Sequence, residues 1–518
     1  MKQPINRRRA ATITLVGGYV NIAVITIQGL LLVPFYLKFI GPRLYGAWLG
    51  SGEILAWLGI LDLGLASLMI QRIAKAHGQM DRQLVANYFA TGLLTQIVMV
   101  LLIIIGSIML APWLPGWMGI EGGDAALIVR CCILVAIATG FMILNNGVAG
   151  FAQALQRTIF INIATIGCSI LGLLTILFLL FSDWGLLAIP VGMLVRNGAL
   201  LILNSGYSAW LYRSEIHQAF RPKFNILREF VSISFAAFLS KLGSAGLGRS
   251  EAALIAIFIH PEMATMFVLT RRAADIVRLL INRFGGAVFA GFSHLVGGGQ
   301  RESAAKVYAE VLVIYTGVSV VLVGTYLAVN QTFMSVWVGS EQFGGEILTI
   351  LIGFNVLTGG RFGLLSYLYG ATGQIARSAY IVFFESICRF ALMIVLLWWI
   401  GMPGLPLAAI VTTFVAGEIS RKWTVHELGV KRKLYFNMNK FSQWSYLFLL
   451  IVGSYVGIFI WAKSWAGVTI MLTVTILIAS VVAILSEPYF RKYMSVVKGH
   501  IYLITRTSLS RFREDIQK

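Results

Sequence analysis

Charged side chains are scarce in this chain. Asp, Glu, Lys and Arg make up 12% of its 518 residues, about half of what a soluble domain carries. With 58% hydrophobic residues and a mean hydropathy of +0.83, that scarcity excludes a soluble globular protein and indicates many membrane spans. Acids are the rarer sign, 21 against 41 bases, for a net charge of +20. In a soluble chain such an excess suggests nucleic acid. Here most cations sit in short gaps between apolar runs, so no nucleic-acid partner is expected.

Cysteine is also sparse. Cys131, Cys132, Cys168 and Cys388 all lie in apolar runs without a CxxC pair or a histidine cluster. Neither a metal site nor a disulfide framework follows, and no cofactor is expected. The chain has no P-loop, nucleophile elbow, HExxH or aspartate cluster, which argues against an enzyme and against a self-contained ATP-driven pump. The gaps on one side are too short for a domain. Arg7, Arg8 and Arg9 resemble a signal-peptide n-region, but the apolar run behind them continues to about Tyr36 and lacks a small-residue cleavage site. It reads as an uncleaved first span.

What is present is a series of apolar runs of span length: 12–36, 45–70, 85–111, 126–152, 158–181, 186–212, 229–259, 264–292, 305–330, 346–370, 379–400, 405–422, 443–463 and 466–488. The fold class expected is an all-α polytopic membrane protein of about fourteen spans. The 405–422 run is the shortest and charged at its lower end. The outer gaps hold only Lys38, Arg43 and Lys463 as cations, whereas the other side carries Arg72, Lys75, Arg82, Arg157, Arg213, Arg221, Lys223 and many more. This positive-inside pattern places both termini in the cytoplasm. The basic tail, 489–518, reads either as an interfacial helix on the anionic inner leaflet, in contact with membrane lipids, or as a solvated segment.

Phe39-Ile40-Gly41-Pro42 and Phe258-Ile259-His260-Pro261 recur at an offset of 219 positions, as do Gly78 and Gly297, Arg82 and Arg301, and Ala86 and Ala305. The offset spans six helices and so preserves direction. It predicts two six-helix lobes in parallel pseudo-twofold repeat: an N-lobe 1–212, a C-lobe 213–422, then a linker with two extra helices, 423–488.

The stretch from Lys241 to Arg283 is apolar enough to cross a bilayer twice, yet carries Lys241, Arg249, Arg271, Arg272, Arg278 and Arg283 against Glu251 and Asp275. A bare cation at the bilayer centre costs roughly 2.5–3.5 kcal/mol, so six cost on the order of 15–20. The charges must therefore face a watery cavity, meet an anion or pair with acids. Arg271, Asp275 and Arg278 follow i, i+4, i+7 spacing and share a helix face. Guanidinium forks grip phosphate bidentately. The structural alternative is pairing with acids of other spans, for which Glu53 and Asp62 are the main candidates. Arg196 and Arg361 have no local partner and are further cavity candidates. Asn145 and Asn146 line the cavity or bond a neighbouring helix.

The stretch Leu32-Val33-Pro34-Phe35-Tyr36-Leu37-Lys38-Phe39-Ile40-Gly41-Pro42-Arg43-Leu44-Tyr45-Gly46-Ala47-Trp48, followed by Leu61-Asp62-Leu63-Gly64-Leu65 and the basic loop from Arg72 to Arg82, resembles the polysaccharide (O-antigen) flippases of the Wzx type, in the multidrug/oligosaccharidyl-lipid/polysaccharide (MOP) exporter superfamily. Weaker echoes are Val336-Trp337-Val338-Gly339 and Tyr369-Gly370-Ala371-Thr372-Gly373. The resemblance implies a transporter of the bacterial cytoplasmic (inner) membrane in polysaccharide or lipopolysaccharide biosynthesis. Its cargo would be a polyprenyl-pyrophosphate-linked oligosaccharide, moved to the outer leaflet by alternating access through a cationic central cavity. Arg271, Arg272 and Arg278 would hold the pyrophosphate, with Arg249, Lys241 and Arg283 guiding it and Asp275 weakening the grip for release. A proton or sodium gradient, or the membrane potential, would supply direction, and polysaccharide-assembly enzymes would be neighbours. Arg249-Ser250-Glu251 departs from the pattern of many relatives, which leaves the role of Glu251 open. The other readings are an ion-coupled multidrug exporter of the same superfamily, a membrane-embedded glycan polymerase or acyltransferase, and a non-transporting scaffold.

Overall fold

A chain in hydrocarbon must satisfy its backbone internally, and apolar runs of this length do so as helices. The structure, a computed structural model, describes residues 23–24, 26–59, 65–230, 250–429 and 464–486. Regular structure among them is helical. In chain order the helices are α1 (Thr26–Phe39), α2 (Pro42–Gly59), α3 (Leu65–Gly78), α4 (Arg82–Leu110), α5 (Gly122–Ala154), α6 (Ile159–Phe181), α7 (Ala188–Leu211), α8 (Glu251–Phe258), α9 (Pro261–Gly297), α10 (Arg301–Trp337), α11 (Glu346–Ala371), α12 (Ile375–Ile400), α13 (Gly404–Leu428) and α14 (Trp465–Ser486). Seven of them, α4 to α7 and α10 to α12, are long and apolar enough to cross a membrane, some extended by short turns. The protein is a multi-pass membrane protein.

Two expected runs are reshaped. The run 45–70 contains two helices, α2 and α3, and the short, charged run 405–422 is one helix of 25 residues, α13. Most of the run 229–259, the run 443–463 and the tail lie outside the described residues. Helix ends have local causes. Asp81 caps α4 by accepting the Leu84 N–H at 2.9 Å. Gly429, at φ +67°, closes α13 in the left-handed conformation that a side chain disfavours.

Two compact units are distinguished, one of residues 1–268 and 386–401, the other of 269–385 and 402–518. In the first, α5 and α7 form a long seam. Asn197 Nδ2 donates to the Ala138 carbonyl at 2.9 Å, Asn204 Nδ2 to Asn145 Oδ1 at 2.8 Å, and Ser208 Oγ to the Val148 carbonyl at 2.9 Å. Partners advance together along both helices, so the pair runs parallel. Asn145 thus bonds a neighbouring helix, the second of its two expected roles. Also in this unit, Gly50 on α2 lets α8 approach closely: a Cβ there would lie 2.9 Å from that of Ala256.

The second unit has a matching seam between α11 and α13. Thr413 Oγ1 donates to Thr358 Oγ1 at 3.1 Å, Arg361 Nη2 to Glu418 Oε1 at 3.3 Å, and Gln374 Nε2 to Glu427 Oε1 at 3.2 Å. It too is parallel. Val468 and Met471 of α14 pack against Ala328 and Val329 of α10. The repeat offset is visible in helix boundaries: Pro42 and Pro261 begin α2 and α9, and Arg82 and Arg301 begin α4 and α10.

Candidate functional site

The cations cluster on α9, whose 37 residues run unbroken from Pro261 to Gly297. Arg271, Arg272, Asp275 and Arg278 are all half-buried on it. Arg271 Nε donates to Asp275 Oδ2 at 3.2 Å, an i, i+4 ion pair with side chains 15% and 35% exposed. One carboxylate thus stands among three guanidiniums over two turns of helix. Asp275, Arg278 and Arg271 all act electrostatically on the Tyr326 hydroxyl of α10. Arg271 and Asp275 of the expected i, i+4, i+7 face thus meet, in the electrostatic neighbourhood of Tyr326 of α10 in the same unit. Arg283 lies on α9 as well; its side chain is outside the described set.

Thr270, immediately before the arginines, anchors this face. It is fully buried. Its hydroxyl accepts the Gly344 N–H at 2.9 Å, ahead of α11. Its carbonyl accepts from Asn330 Nδ2 at 3.2 Å and from the Tyr326 hydroxyl at 3.3 Å, both on α10. Asn330 Nδ2 also reaches Thr349 Oγ1 on α11 at 3.2 Å. Two segments, α10 and the stretch ahead of α11, are thus bonded to one residue, which fixes the rotation of α9 where the arginines emerge. Sequence reasoning missed Thr270, Tyr326, Asn330 and Thr349. The available signal was Tyr326 and Asn330 at i, i+4 within an otherwise apolar run.

The other predicted residues among those described lie on other helices. Glu53 was expected among the acids that neutralise arginines. Its Oε2 accepts the Ala253 N–H at 3.0 Å, so it satisfies a first-turn donor of α8 across two helices, where the helix dipole favours an anion. Glu251, in the same turn, is 5% exposed. Arg361, which has no local partner, pairs with Glu418, 57 residues on, which also takes Arg421 at 2.6 Å. Arg196 of α7 packs against Gly172 of α6, its Cβ 2.8 Å from where a Cβ on Gly172 would fall. Its Nε is buried without a hydrogen-bond partner among the described residues. Lys241, Arg249 and Asp62 lie outside the described residues. Among the described residues no His, Cys, Asp or Glu group could hold a metal ion.

Comparison with solved structures places this arrangement. An inward-facing multidrug resistance transporter of the MATE family, described as a member of the MOP superfamily, matches with a TM-score of 0.66 at 14% identity, over 78% of this chain and 94% of its own. The lipid II flippase MurJ, in an inward closed conformation, matches with a TM-score of 0.65 at 12% identity, over 92% of this chain and 99% of its own. This chain has the fold of the MOP-superfamily transporters. An outward-facing MATE transporter of the same superfamily matches at a TM-score of 0.58 and 15% identity, over 81% and 95%. No family model matches the sequence, and no curated protein matches it. At these identities the likeness belongs to the MOP fold alone, and the arginines of α9 must be argued on their own chemistry.

Proposed function

We propose that this protein is a flippase of the cytoplasmic membrane, moving a polyprenyl-pyrophosphate-linked oligosaccharide from the inner to the outer leaflet by alternating access. The observation that carries the reading is the face of α9, where Arg271, Arg272 and Arg278 outnumber Asp275 at membrane depth. A diphosphate joined to lipid at one end and sugar at the other carries two negative charges, and the oxygens of each phosphate match a guanidinium fork. In this reading Arg271, Arg272 and Arg278 bind the diphosphate, while Arg283, Arg249 and Lys241 guide its approach and departure. The ion pair within α9 keeps the site from holding its cargo too tightly, because Asp275 competes with the phosphate for Arg271. The sugar crosses in water while the prenyl chain stays in lipid. The lobes are residues 1–212 and 213–422, with both termini cytoplasmic.

The likeness to a lipid II flippase over 92% of the chain supports this reading. The comparable TM-score to a multidrug transporter supports a second, ion-coupled drug export. A cationic helix face repels the cationic compounds such exporters handle, which favours the first. The test is reconstitution into vesicles holding a lipid-linked oligosaccharide on one leaflet. Protein-dependent appearance of the glycan on the other leaflet is expected. No transfer, together with drug efflux restored in a pump-deficient cell, would replace the flippase reading with the exporter one.

A further inference from the structure

The exposed side of α4 stops short of the start of the helix. Leu94, Val98, Leu101 and Ile105 share one face and are all exposed, the apolar stripe that a spanning helix turns to acyl chains. Asn87 and Thr91 continue that face towards Arg82, yet both are buried. The segment 217–230, which follows α7, covers them. The Lys223 N–H donates to Thr91 Oγ1 at 3.0 Å. Gln83 Nε2 donates to the Ala219 carbonyl at 3.1 Å and to Asn87 Oδ1 at 3.0 Å. Farther on, Phe230 stacks on Tyr88 of α4 with ring centroids 6.0 Å apart, and Glu229 takes Arg72 of α3. The segment is therefore laid over the same face of α4 that meets lipid a turn farther along.

Its depth follows from the helix rise. A hydrocarbon core of about 30 Å takes about 20 residues at 1.5 Å each. Counted back from Leu110, the last residue of α4, that length ends at Thr91. Exposed Trp113, just past Leu110, marks the opposite interface. The backbone of Lys223 is thus tied to the boundary of the hydrocarbon, on the side that the charge pattern of the sequence assigns to the cytoplasm.

The side chains of the segment suit that level. Phe224 is 77% exposed and Phe220 is exposed as well, although the chain around them is bonded down. The two acids are taken, Glu215 by Arg157 and Glu229 by Arg72. Arg221, Lys223 and Arg228 are exposed and have no acid partner among the described residues. Aromatic rings flanked by free cations match the headgroup region of an anionic leaflet.

We propose that the segment 217–230 is an interfacial anchor for anionic phospholipid of the cytoplasmic leaflet. Phe224 enters the boundary between headgroups and acyl chains, and Arg221, Lys223 and Arg228 meet the headgroup phosphates. The anchor uses none of the α9 arginines and does not depend on what the protein transports.

The test uses the full chain with Cys388→Ser, the other cysteines being buried, and a spin label on Asn225→Cys, beside Phe224. The protein is reconstituted in phosphatidylcholine vesicles with or without phosphatidylglycerol. With phosphatidylglycerol, collisions of the label with oxygen, which concentrates in hydrocarbon, are expected to exceed those with a water-soluble nickel chelate. A label on Gln79→Cys, in the exposed turn before α4, is expected to show the reverse. Changing Arg221, Lys223 and Arg228 to Gln should cancel the gain that phosphatidylglycerol gives, each cation contributing roughly fivefold to the preference. All three side chains are exposed, so thermal stability should not move with it. Chelate collisions at residue 225 as frequent as at residue 79 would overturn the anchor and leave a surface that faces water. The same oxygen-to-chelate ratio with and without phosphatidylglycerol would overturn the assignment to anionic lipid.

Discussion

The hydroxyl of Thr265 donates to the backbone carbonyl of Pro42 at 2.7 Å, and its mirror contact sets Gly46 against Pro261. Pro42 and Pro261 stand at the repeat offset of 219, and so do Gly46 and Thr265. Residue i of one helix start meets j of the other while j meets i, the reciprocity that a twofold relation imposes. Only a glycine fits on the α2 side. A Cβ at position 46 would lie 2.6 Å from the Pro261 carbonyl carbon and 2.8 Å from Thr265 Oγ1.

Gly46→Val is therefore expected to push the starts of α2 and α9 apart and to cost about 1–3 kcal/mol, as overpacking of a closed contact does. Thermal unfolding in detergent reads this directly. A melting temperature equal to that of the unaltered protein would mean that the two helix starts do not touch.

Thr270→Val keeps the shape of the anchor but removes the acceptor for the Gly344 N–H. A buried donor left without its partner costs about 1–3 kcal/mol. Thr270→Ser restores the hydroxyl and should recover most of that loss. Equal stability of the Val and Ser variants would show that the hydroxyl does not hold the segment before α11.

Gln96 gives a prediction of the opposite sign. Its side chain is fully buried on α4, and both carboxamide atoms lack a hydrogen-bond partner among the described residues. It packs against Gly147 of α5, where a Cβ would fall 2.6 Å from its Cδ. Gln96→Met preserves the length and removes the unsatisfied polar atoms. It is expected to raise stability by about 1–3 kcal/mol. A fall in melting temperature would reveal a polar partner for that carboxamide, such as a bound water.

On the proposed function, Arg271→Gln with Arg278→Gln should abolish glycan transfer in vesicles while leaving membrane insertion and thermal stability near normal. Asp275→Asn removes the carboxylate with which Arg271 pairs and should strengthen the hold on a diphosphate. The expected signature is a lower apparent KM with a lower maximal rate, since release slows. Unchanged transfer by the double arginine variant would remove α9 as the binding surface.

How far the sequence reaches can be judged from single elements. The apolar runs located the long helices to within a few residues, as with 158–181 for α6 and 346–370 for α11. The 219-residue offset anticipated that α2 and α9, and α4 and α10, start at equivalent places. Such features are local, because in hydrocarbon a helix satisfies its own backbone and only its length and apolarity must be right. The i, i+4, i+7 face of α9 was legible for the same reason, since the helix period alone sets it.

Partners across space were not legible. Nothing near Arg361 in the chain points to Glu418, nothing near Glu53 points to the Ala253 N–H 200 residues away, and Thr270 does not announce its bonds to α10 and to Gly344. Those bonds depend on which helices become neighbours and how each is rotated, and small residues such as Gly46, Gly50 and Gly172 decide that by letting backbones approach. The sequence by itself determined where the long helices run and which cations share a face of α9. Tertiary structure alone decided which cations pair between helices, as Arg361 does with Glu418, because that choice is made by distances between helices, and no local pattern encodes those distances.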